Sequence, residues 1–277
     1  MTIGFIGAGS MVGAIARGAI AAGWDGQQFL FTDAHGVHAR QLADQLGAQA
    51  TSAQEIAKQA DMIVLGVKPY QLDEVVAVLA PVVAARLADG DQVTLVSIAA
   101  GRSIMSIQQA FAVACHFEGD TVPVIRVMPN VNASIGQSMT ALCPSAQVLP
   151  SAHQQATELF EAVGHTTQIS EKDFSVFSAL AGCSPAWVYR IIDALATAGV
   201  KYGLPKAQAV QIVASALQGS ASLVLDDASA IPAALIDRVL SPGGTTVAGL
   251  LAAEESGLSV SLTHAVDAAV ARDRELG

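Results

Sequence analysis

The sequence of 277 residues contains little charge, few aromatic residues and little cysteine. Charged residues make up 14% of the chain and aromatic residues 5%, and acidic residues outnumber basic ones by 24 to 14. A net charge of −10 argues against a nucleic-acid-binding protein, because such proteins neutralise phosphate with lysine and arginine. A small-molecule partner fits this composition better.

The three cysteines, Cys115, Cys143 and Cys183, are widely separated and form no CxxC pair. Their spacing predicts neither a disulfide framework nor a zinc site, and we expect no metal. The first residues, "MTIGFIGAGS", lack the basic segment and apolar core of a secretory signal. No uninterrupted apolar run reaches the roughly 18 residues of a membrane span. We therefore expect a cytoplasmic protein without a membrane partner.

Short apolar runs alternate with helical segments in the first half of the chain. The runs are "TIGFIG", "FLFTD", "DMIVLGV", "QVTLVSIA" and "VPVIRVM", and "SMTALC" with a closing helix over residues 150–163 follows them. Strands that are apolar throughout are typical of a parallel sheet covered on both faces. The pattern predicts an α/β, Rossmann-like, doubly wound domain with a mainly parallel sheet over residues 1–165.

The strand signal is absent from about Ser170 onward, where apolar residues recur at helical spacing. Gly203, Pro205, Pro232 and Gly257 divide this part into segments. The pattern predicts an all-α C-terminal domain over residues 166–277. Helices so low in charge expose apolar surface in a monomer, so we expect at least a homodimer.

A glycine turn follows the first apolar run and precedes a helix in "IGFIGAGSMVGAIARG". Gly7 permits a tight turn, Gly9 lets a pyrophosphate approach the backbone, and the helix N-terminus favours the anion. The motif is imperfect, because Val12 occupies the third small position and Gly13 comes one place late. The sequence therefore predicts a dinucleotide site. Its residues are Gly7, Ala8, Gly9, Ser10 and Met11; the alternative is a glycine turn without a ligand.

Asp33 ends the next strand, about 20 residues after the glycine turn, where an acid accepts hydrogen bonds from a ribose. A carboxylate at this place repels a 2′-phosphate, so it favours NADH over NADPH. The nearest basic residues, His35, His38 and Arg40, are interpreted as a solvated loop and helix face.

Further loops follow later strands of the same sheet, in "GVKPYQ", "SIAAGRS" and "VMPNVNAS". Doubly wound sheets bind ligands at the carboxyl ends of their strands. These loops therefore predict the nicotinamide side of the cofactor site. The residues are Val67, Lys68, Pro69, Ala100 and Asn130.

A second glycine turn, "LSPGGTTVAGLLAAE" at residues 240–254, stands before an apolar helical run. Backbone amides and hydroxyls at a helix start can hold a small carboxylate. The alternative is a simple cap, with Ser241 as the N-cap and Pro242 at the first helical position.

Taken together, the sequence resembles the pyrroline-5-carboxylate reductases. The resemblance lies in "IGFIGAGSM", "GVKP", "SIAAG", "RVMPN", "GCSPAWVY" and above all "VLSPGGTTVAGL" at 239–250, in order over essentially the whole chain. It implies hydride transfer from NADPH or NADH to the cyclic imine pyrroline-5-carboxylate, which gives L-proline in the last step of proline biosynthesis. It also implies helical domains that pair into homodimers or larger homo-oligomers.

The resemblance implies a role for each residue of the second glycine turn. The imine's carboxylate would be held by Ser241, Gly243, Gly244, Thr245 and Thr246. The Thr246 hydroxyl would lie near the ring nitrogen, as the catalytic residue.

Three departures from the family pattern concern proton delivery and the nicotinamide pocket. Many members carry Glu-His-Pro before the turn, whereas residues 229–232 here read "SAIP", so the role of that Glu is missing or passes to Asp226 or Asp227. Leu240 stands where a small residue is usual, and "MPNVNAS" replaces a commoner "MPNTPA".

Three other functions remain open from the sequence. A β-hydroxyacid dehydrogenase would need a lysine early in the first long helix of the second domain, where Lys201 comes only near the end. A different cyclic-imine reductase would share the whole plan. A non-catalytic NAD(P)-binding sensor would leave the second glycine turn unexplained.

Overall fold

The computed structural model describes residues 1–115 and 122–276. Its first part contains one sheet of eight strands in the order β3-β2-β1-β4-β5-β6-β7-β8. All neighbouring strands are parallel except β6 and β7, which are antiparallel. The strands are β1 Ile3–Ile6, β2 Phe29–Thr32, β3 Gln49–Ala50, β4 Met62–Leu65, β5 Thr94–Ser97, β6 Val124–Met128, β7 Ser138–Pro144 and β8 Gly164–Gln168. The predicted doubly wound, mainly parallel sheet is confirmed.

Helices cover both faces of the sheet, and this explains the continuous apolar strands. The helices are α1 Ser10–Ala21, α2 Val37–Leu46, α3 Ala53–Gln59, α4 Leu72–Ala88, α5 Ile104–Cys115 and α6 Pro150–Glu161. Phe5 and Val64 face a core shared with α1, α2 and α6, whereas Ile6 and Leu65, the next residues along, face a core shared with α3, α4 and α5. Successive residues of a strand point to opposite faces, so every position must be apolar.

Three elements of this part have no counterpart among the sequence predictions. They are the two-residue strand β3, the short helix α3 and the edge strand β8. The residues of β8, "GHTTQ", are polar and half-exposed, so they lack the apolar run on which strand recognition depends.

The chain divides into two compact units, Met1–Gly182 with Ala269–Gly277, and Cys183–Ala268. The predicted limit at residue 165 falls inside β8, because that strand pairs with β7 through Gln168. Helix α7, Phe174–Phe177, lies before the division, and a wide, π-helical turn, Ser178–Cys183, spans it.

The remainder of the chain is helical, as predicted. Its helices are α8 Ser184–Lys201, α9 Lys206–Asp226, α10 Pro232–Val239, α11 Thr245–Glu255 and α12 Leu258–Leu276. Lys206 holds α8 and α9 together, because its ammonium donates to Asp193 O and Oδ1 and to Thr197 Oγ1 at 3.1, 2.7 and 2.7 Å. These bonds with Lys206 lower the pKa of the Asp193 carboxyl.

Many large apolar side chains of these helices are exposed in the single chain. Leu223 and Leu225 of α9 are 65% and 77% exposed, and Val260 of α12 is 58% exposed. Among the described residues, α9 is also the one helix long and apolar enough to cross a membrane, by length and composition alone. A single helix of this kind is weak evidence for a membrane protein, so the absence of a membrane partner stays a prediction.

Candidate functional site

The turn between β1 and α1 needs glycine at two positions for different reasons. Gly7 has a φ of +96°, and a Cβ there would lie 2.6 Å from the carbonyl oxygen of Gly66. Gly9 is the N-cap of α1 in an extended conformation, and a Cβ there would have no described atom within 4 Å. Gly7 thus makes the turn possible, whereas Gly9 leaves open space in front of the first amides of α1. These amides have no acceptor within the helix, so the space suits an anion.

The small residue that the motif normally has at its third position, on the helix, is supplied here by the strand side of the contact. Val12 of α1 is buried, and a Cβ on Gly66, directly after β4, would lie 2.3 Å from Val12 Cγ2. A small residue is needed here so that the helix packs close to the sheet. In this chain Gly66 supplies it, and the helix carries the large residue.

A cavity of about 880 Å³ lies along the carboxyl ends of β1, β2, β4, β5 and β6. This volume is typical of a site for a small molecule or cofactor. Ten of the eleven residues predicted to bind the cofactor line it: Gly7, Ala8, Gly9, Ser10, Met11, Asp33, Val67, Lys68, Pro69 and Ala100. The fold therefore brings the two predicted halves of the cofactor site together in one cavity.

Asp33 presents a carboxylate to this cavity with one oxygen unsatisfied. Its Oδ2 lies 3.3 Å from Nδ1 of His38, and its side chain is 12% exposed. Its Oδ1 is buried and has no hydrogen-bond partner among the described residues. An unsatisfied buried acceptor costs stability, so it calls for a donor from a ligand, and a ribose hydroxyl is such a donor.

Asn130 does not line the cavity, although Pro129 and Val131 do. Its side chain is occupied within the fold, because Nδ2 donates to Ala181 O at 2.9 Å and Oδ1 accepts from Asn132 N at 3.1 Å. These contacts give Asn130 a role in holding the cavity rim, and its contact with a cofactor stays a prediction.

Residues that the sequence does not predict to bind a cofactor also line the cavity. His35 and His38, interpreted from the sequence as a solvated face, line the cavity while remaining exposed. Gly66 lines it as well. The sequence indicates Gly66 through the motif "GVKP", which it begins. It indicates the two histidines through their positions two and five residues after Asp33.

The second glycine turn precedes α11, which begins at Thr245 with Gly244 as its N-cap. The alternative in which Ser241 caps the helix and Pro242 opens it is therefore wrong. Gly243 has a φ of +71°, and Gly244 N donates to Ser241 O at 3.0 Å. The N-cap carries no side-chain hydrogen bond, so the first amides of α11 lack a capping side chain.

The second turn keeps its predicted residues close together in sequence and space. A Cβ on Gly244 would lie 2.2 Å from the Ser241 hydroxyl oxygen, so that hydroxyl stands directly over the start of α11. Ser241, Thr245 and Thr246 are exposed in the single chain. Amides and hydroxyls of this kind can accept a carboxylate.

Asp227 is a poor substitute for the missing glutamate as a proton donor. Its Oδ1 accepts from the Ser229 hydroxyl and the Ser229 amide at 2.6 and 2.8 Å. These two bonds lower the pKa of the Asp227 carboxyl, so it is ionised at neutral pH. Among the described residues, no group of three or more His, Cys, Asp or Glu side chains could hold a metal ion.

Comparison with known families covers both parts of the chain. Residues 171–276 match the family model for pyrroline-5-carboxylate reductase dimerisation. Residues 2–101 match the model for NADP oxidoreductase, coenzyme F420-dependent.

Relatives match over the full length. A pyrroline-5-carboxylate reductase of Glycine max is 35% identical, with 99% of this chain and 96% of the relative aligned. The crystal structure of 1-pyrroline-5-carboxylate reductase from Streptococcus pyogenes superposes with a TM-score of 0.83 at 36% identity, covering 99% and 98% of the two chains. The Plasmodium falciparum pyrroline carboxylate reductase, solved with NADP bound, gives a TM-score of 0.84 at 26% identity, covering 100% and 98%. With its fold, its two glycine turns and its full-length relatives in agreement, the chain belongs to the pyrroline-5-carboxylate reductase family.

Proposed function

We propose that the chain is an NAD(P)H-dependent oxidoreductase that reduces pyrroline-5-carboxylate to L-proline. The observation that carries this proposal is the single cavity at the carboxyl edge of the sheet, lined by the glycine turn, Asp33 and the loop of Lys68 and Pro69. A dinucleotide reductase needs such a cavity, and the family to which the chain belongs supplies the substrate.

The cofactor would bind with its pyrophosphate at the start of α1 and its adenosine ribose on Asp33. Two features support this fit: the open space in front of Gly9 and the unsatisfied Oδ1 of Asp33. The loop of Val67, Lys68 and Pro69 and the backbone at Ala100 would border the nicotinamide. Asp33 favours NADH, because its charge opposes a 2′-phosphate. The relative from Plasmodium falciparum binds NADP, so the family accommodates that phosphate.

The substrate's carboxylate would bind the second glycine turn. The amides of Gly243 and Thr245 and the Ser241 hydroxyl supply donors at the start of α11, where the helix dipole also favours an anion. Gly244 would shape this turn around the carboxylate, because its own amide donates to Ser241 O. The Thr246 hydroxyl, one residue into the helix, would hydrogen-bond to the ring nitrogen and hold its proton.

The residues have modest chemistry to perform. When bound, the dihydronicotinamide supplies the hydride. The imine is electrophilic once its nitrogen is protonated; a new C–H bond then forms at the imine carbon, and the C=N electron pair stays on nitrogen. The two glycine turns fix both partners in position, which is the main contribution such a reaction needs from the protein.

We further propose that the sheet domain, predicted over residues 1–165 and extended by the rest of β8, binds the dinucleotide, and that the helical part that follows it, predicted over residues 166–277, serves substrate binding and dimerisation. A homodimer or larger homo-oligomer would cover the exposed apolar side chains of α9 and α12. Each active site would combine the cofactor domain of one subunit with the helices of its partner. The protein would act in the cytoplasm.

The test follows NADH and NADPH absorbance on addition of pyrroline-5-carboxylate and, in reverse at high pH, with proline. We expect oxidation of the reduced cofactor that depends on the imine. Tight NAD(H) binding without turnover would instead identify a non-catalytic sensor. Turnover with a 3-hydroxyacid but not with proline would identify a β-hydroxyacid dehydrogenase, and turnover with other imines alone a different imine reductase.

A further inference from the structure

A second, smaller groove of about 340 Å³ lies beside the dinucleotide cavity. Its lining includes Ala8, Gly9, Ser10, Gly13, Arg17 and His38. Ala8, Gly9, Ser10 and His38 line the cavity as well. The groove therefore meets the cavity at the glycine turn and at the histidine that contacts Asp33.

Arg17 gives this groove a positive charge. It lies seven residues after Ser10 on α1, which places the two residues on the same face of the helix. Its guanidinium folds back over Gly13, where a Cβ would lie 3.0 Å from Nη2 and 3.1 Å from Nη1. The glycine that comes one place late for the dinucleotide motif thus provides the space for this arrangement.

The guanidinium of Arg17 is available for a ligand. No carboxylate or carbonyl in residues 1–115 or 122–276 accepts a hydrogen bond from it. Arg40, the other arginine near the turn, is engaged, because its Nε donates to Gly36 O at 2.8 Å. Arg17 is therefore the nearby arginine with its full set of donors free within the described chain.

The charge of the groove complements that of the cavity. Asp33 opposes a phosphate on the 2′ position of the adenosine ribose, whereas the adjoining groove carries Arg17 and shares with the cavity His38, which contacts Asp33. Arginine binds phosphate through two parallel hydrogen bonds, and this geometry makes it the usual partner of a 2′-phosphate.

We propose that Arg17 binds the 2′-phosphate of NADPH in this groove and so determines how far the enzyme uses NADPH beside NADH. His38 borders the same phosphate. As a statement about cofactor choice, the inference rests on the proposed reductase function; as a statement about binding, it can be tested alone.

The test is calorimetric binding of 2′,5′-ADP and of 5′-AMP to the full-length protein. Loss of a charged hydrogen bond predicts that Arg17→Ala binds 2′,5′-ADP about tenfold more weakly and 5′-AMP within about twofold of the unmodified protein. Arg17→Gln keeps the unbranched stem and a polar end but removes the charge, and it should behave in the same way even if Arg17→Ala fails to fold. Lys58→Ala removes a positive charge from α3, which packs on the opposite face of the sheet, and should change neither affinity.

Kinetics with pyrroline-5-carboxylate then connect binding to cofactor use. We expect kcat/KM with NADPH to fall about tenfold in Arg17→Gln and kcat/KM with NADH to be unchanged. Equal weakening of both nucleotides would assign Arg17 to a phosphate shared by NADH and NADPH and overturn the proposal, as would no weakening at all. If the unmodified protein oxidises neither cofactor, the proposed function fails, while the calorimetric contrast still decides the role of Arg17.

Discussion

Val12 occupies the space that a side chain on Gly66 would need, with its Cγ2 only 2.3 Å from where that Cβ would stand. The pair sets how closely α1 approaches the sheet beside the dinucleotide cavity, because Val12 belongs to α1 and Gly66 directly follows β4. Gly66 also lines the cavity. A change at either residue should therefore affect packing and cofactor binding together.

Gly66→Ala should destabilise the protein by about 1–3 kcal/mol, the usual cost of overpacking a tight contact. The methyl would push α1 away from the strand ends, so NADH binding should weaken as well. Chemical unfolding and NADH titration measure the two effects.

Val12→Ala in the same protein is the control for this contact. The double variant Val12→Ala/Gly66→Ala should be more stable than the sum of the single changes predicts. The smaller side chain at position 12 leaves room for the methyl added at position 66. Strict additivity would show that the two residues do not share this space.

Gly9→Ala should separate binding from folding. The backbone at Gly9, with φ −77° and ψ −177°, suits any residue, and its Cβ would meet no described atom. We expect an unchanged melting temperature and NADH binding about tenfold weaker, because the methyl would stand where the pyrophosphate approaches.

Gly7→Ala is the contrasting variant for the same turn. Its φ of +96° and the Gly66 carbonyl 2.6 Å from the new Cβ predict a loss of stability as well as of binding. Unaltered NADH affinity in Gly9→Ala would remove that residue from the cofactor site.

Asp33→Asn should lower affinity for NADH about tenfold and shift the preference toward NADPH. The amide keeps the shape of the side chain but loses the negative charge. That charge strengthens the hydrogen bond accepted from the ribose and repels a 2′-phosphate. Asp44→Asn, an exposed change on α2, is the matched control. The ratio of kcat/KM for the two cofactors measures the shift, and an unchanged ratio contradicts the assignment of Asp33.

Glu171→Gln should destabilise the protein by about 1–3 kcal/mol. Glu171 Oε1 accepts from Ile104 N at 2.7 Å and from the nearly buried Arg126 at 3.2 Å, and Arg126 also lies 4.4 Å above the ring of Phe174. The variant leaves Arg126 without its counter-ion. Glu161→Gln, an exposed change, should alter the free energy of unfolding by less than about 0.5 kcal/mol.

The same variant has a second readout at Cys143. Burial raises the pKa of the Cys143 thiol, and the charge of Glu171 raises it further. Without that charge the thiolate forms at lower pH, so alkylation of Cys143 near pH 8 should be faster in Glu171→Gln. An unaltered rate would show that the carboxylate does not influence the thiol.

Thr246→Ala should lower kcat about 10- to 100-fold with little effect on unfolding, because the hydroxyl is exposed and its proposed partner is the substrate's nitrogen. Thr245→Ala, one residue earlier, should mainly raise KM for pyrroline-5-carboxylate. Thr263→Ala, whose hydroxyl donates to Ser259 O within α12, should leave both constants unchanged. A kcat equal to that of the unmodified enzyme would remove Thr246 from catalysis.

The sheet could be predicted from the sequence because each central strand is buried on both faces and is therefore apolar at every position. Strand β8 could not, since an edge strand with polar, half-exposed residues obtains its structure from pairing with β7 rather than from its own composition. The cofactor turn could be identified because its glycines are required by the local backbone. Gly7 has a positive φ, and Gly9 leaves open space for a ligand to approach.

Contacts between residues distant in sequence account for what the sequence did not reveal. Nothing near Val12 shows that Gly66, 54 positions later, would supply the missing small residue. The Asn130 amide, expected at the cofactor, is bonded to Ala181, and only the folded chain brings the two together. The sequence does not mark Arg17 as a binding residue, because the position of its guanidinium depends on the space above Gly13.

The bond from Asn130 to Ala181 ends in the wide turn Ser178–Cys183, where six residues follow the π-helical pattern. A one-residue deletion in that turn would rotate the peptide groups beyond it by about 100°. The amide of Asn130, which is 6% exposed, would then lose its acceptor in a place that water scarcely reaches. An insertion or deletion in this turn therefore requires a different side chain at position 130, one that does not need the Ala181 carbonyl as an acceptor.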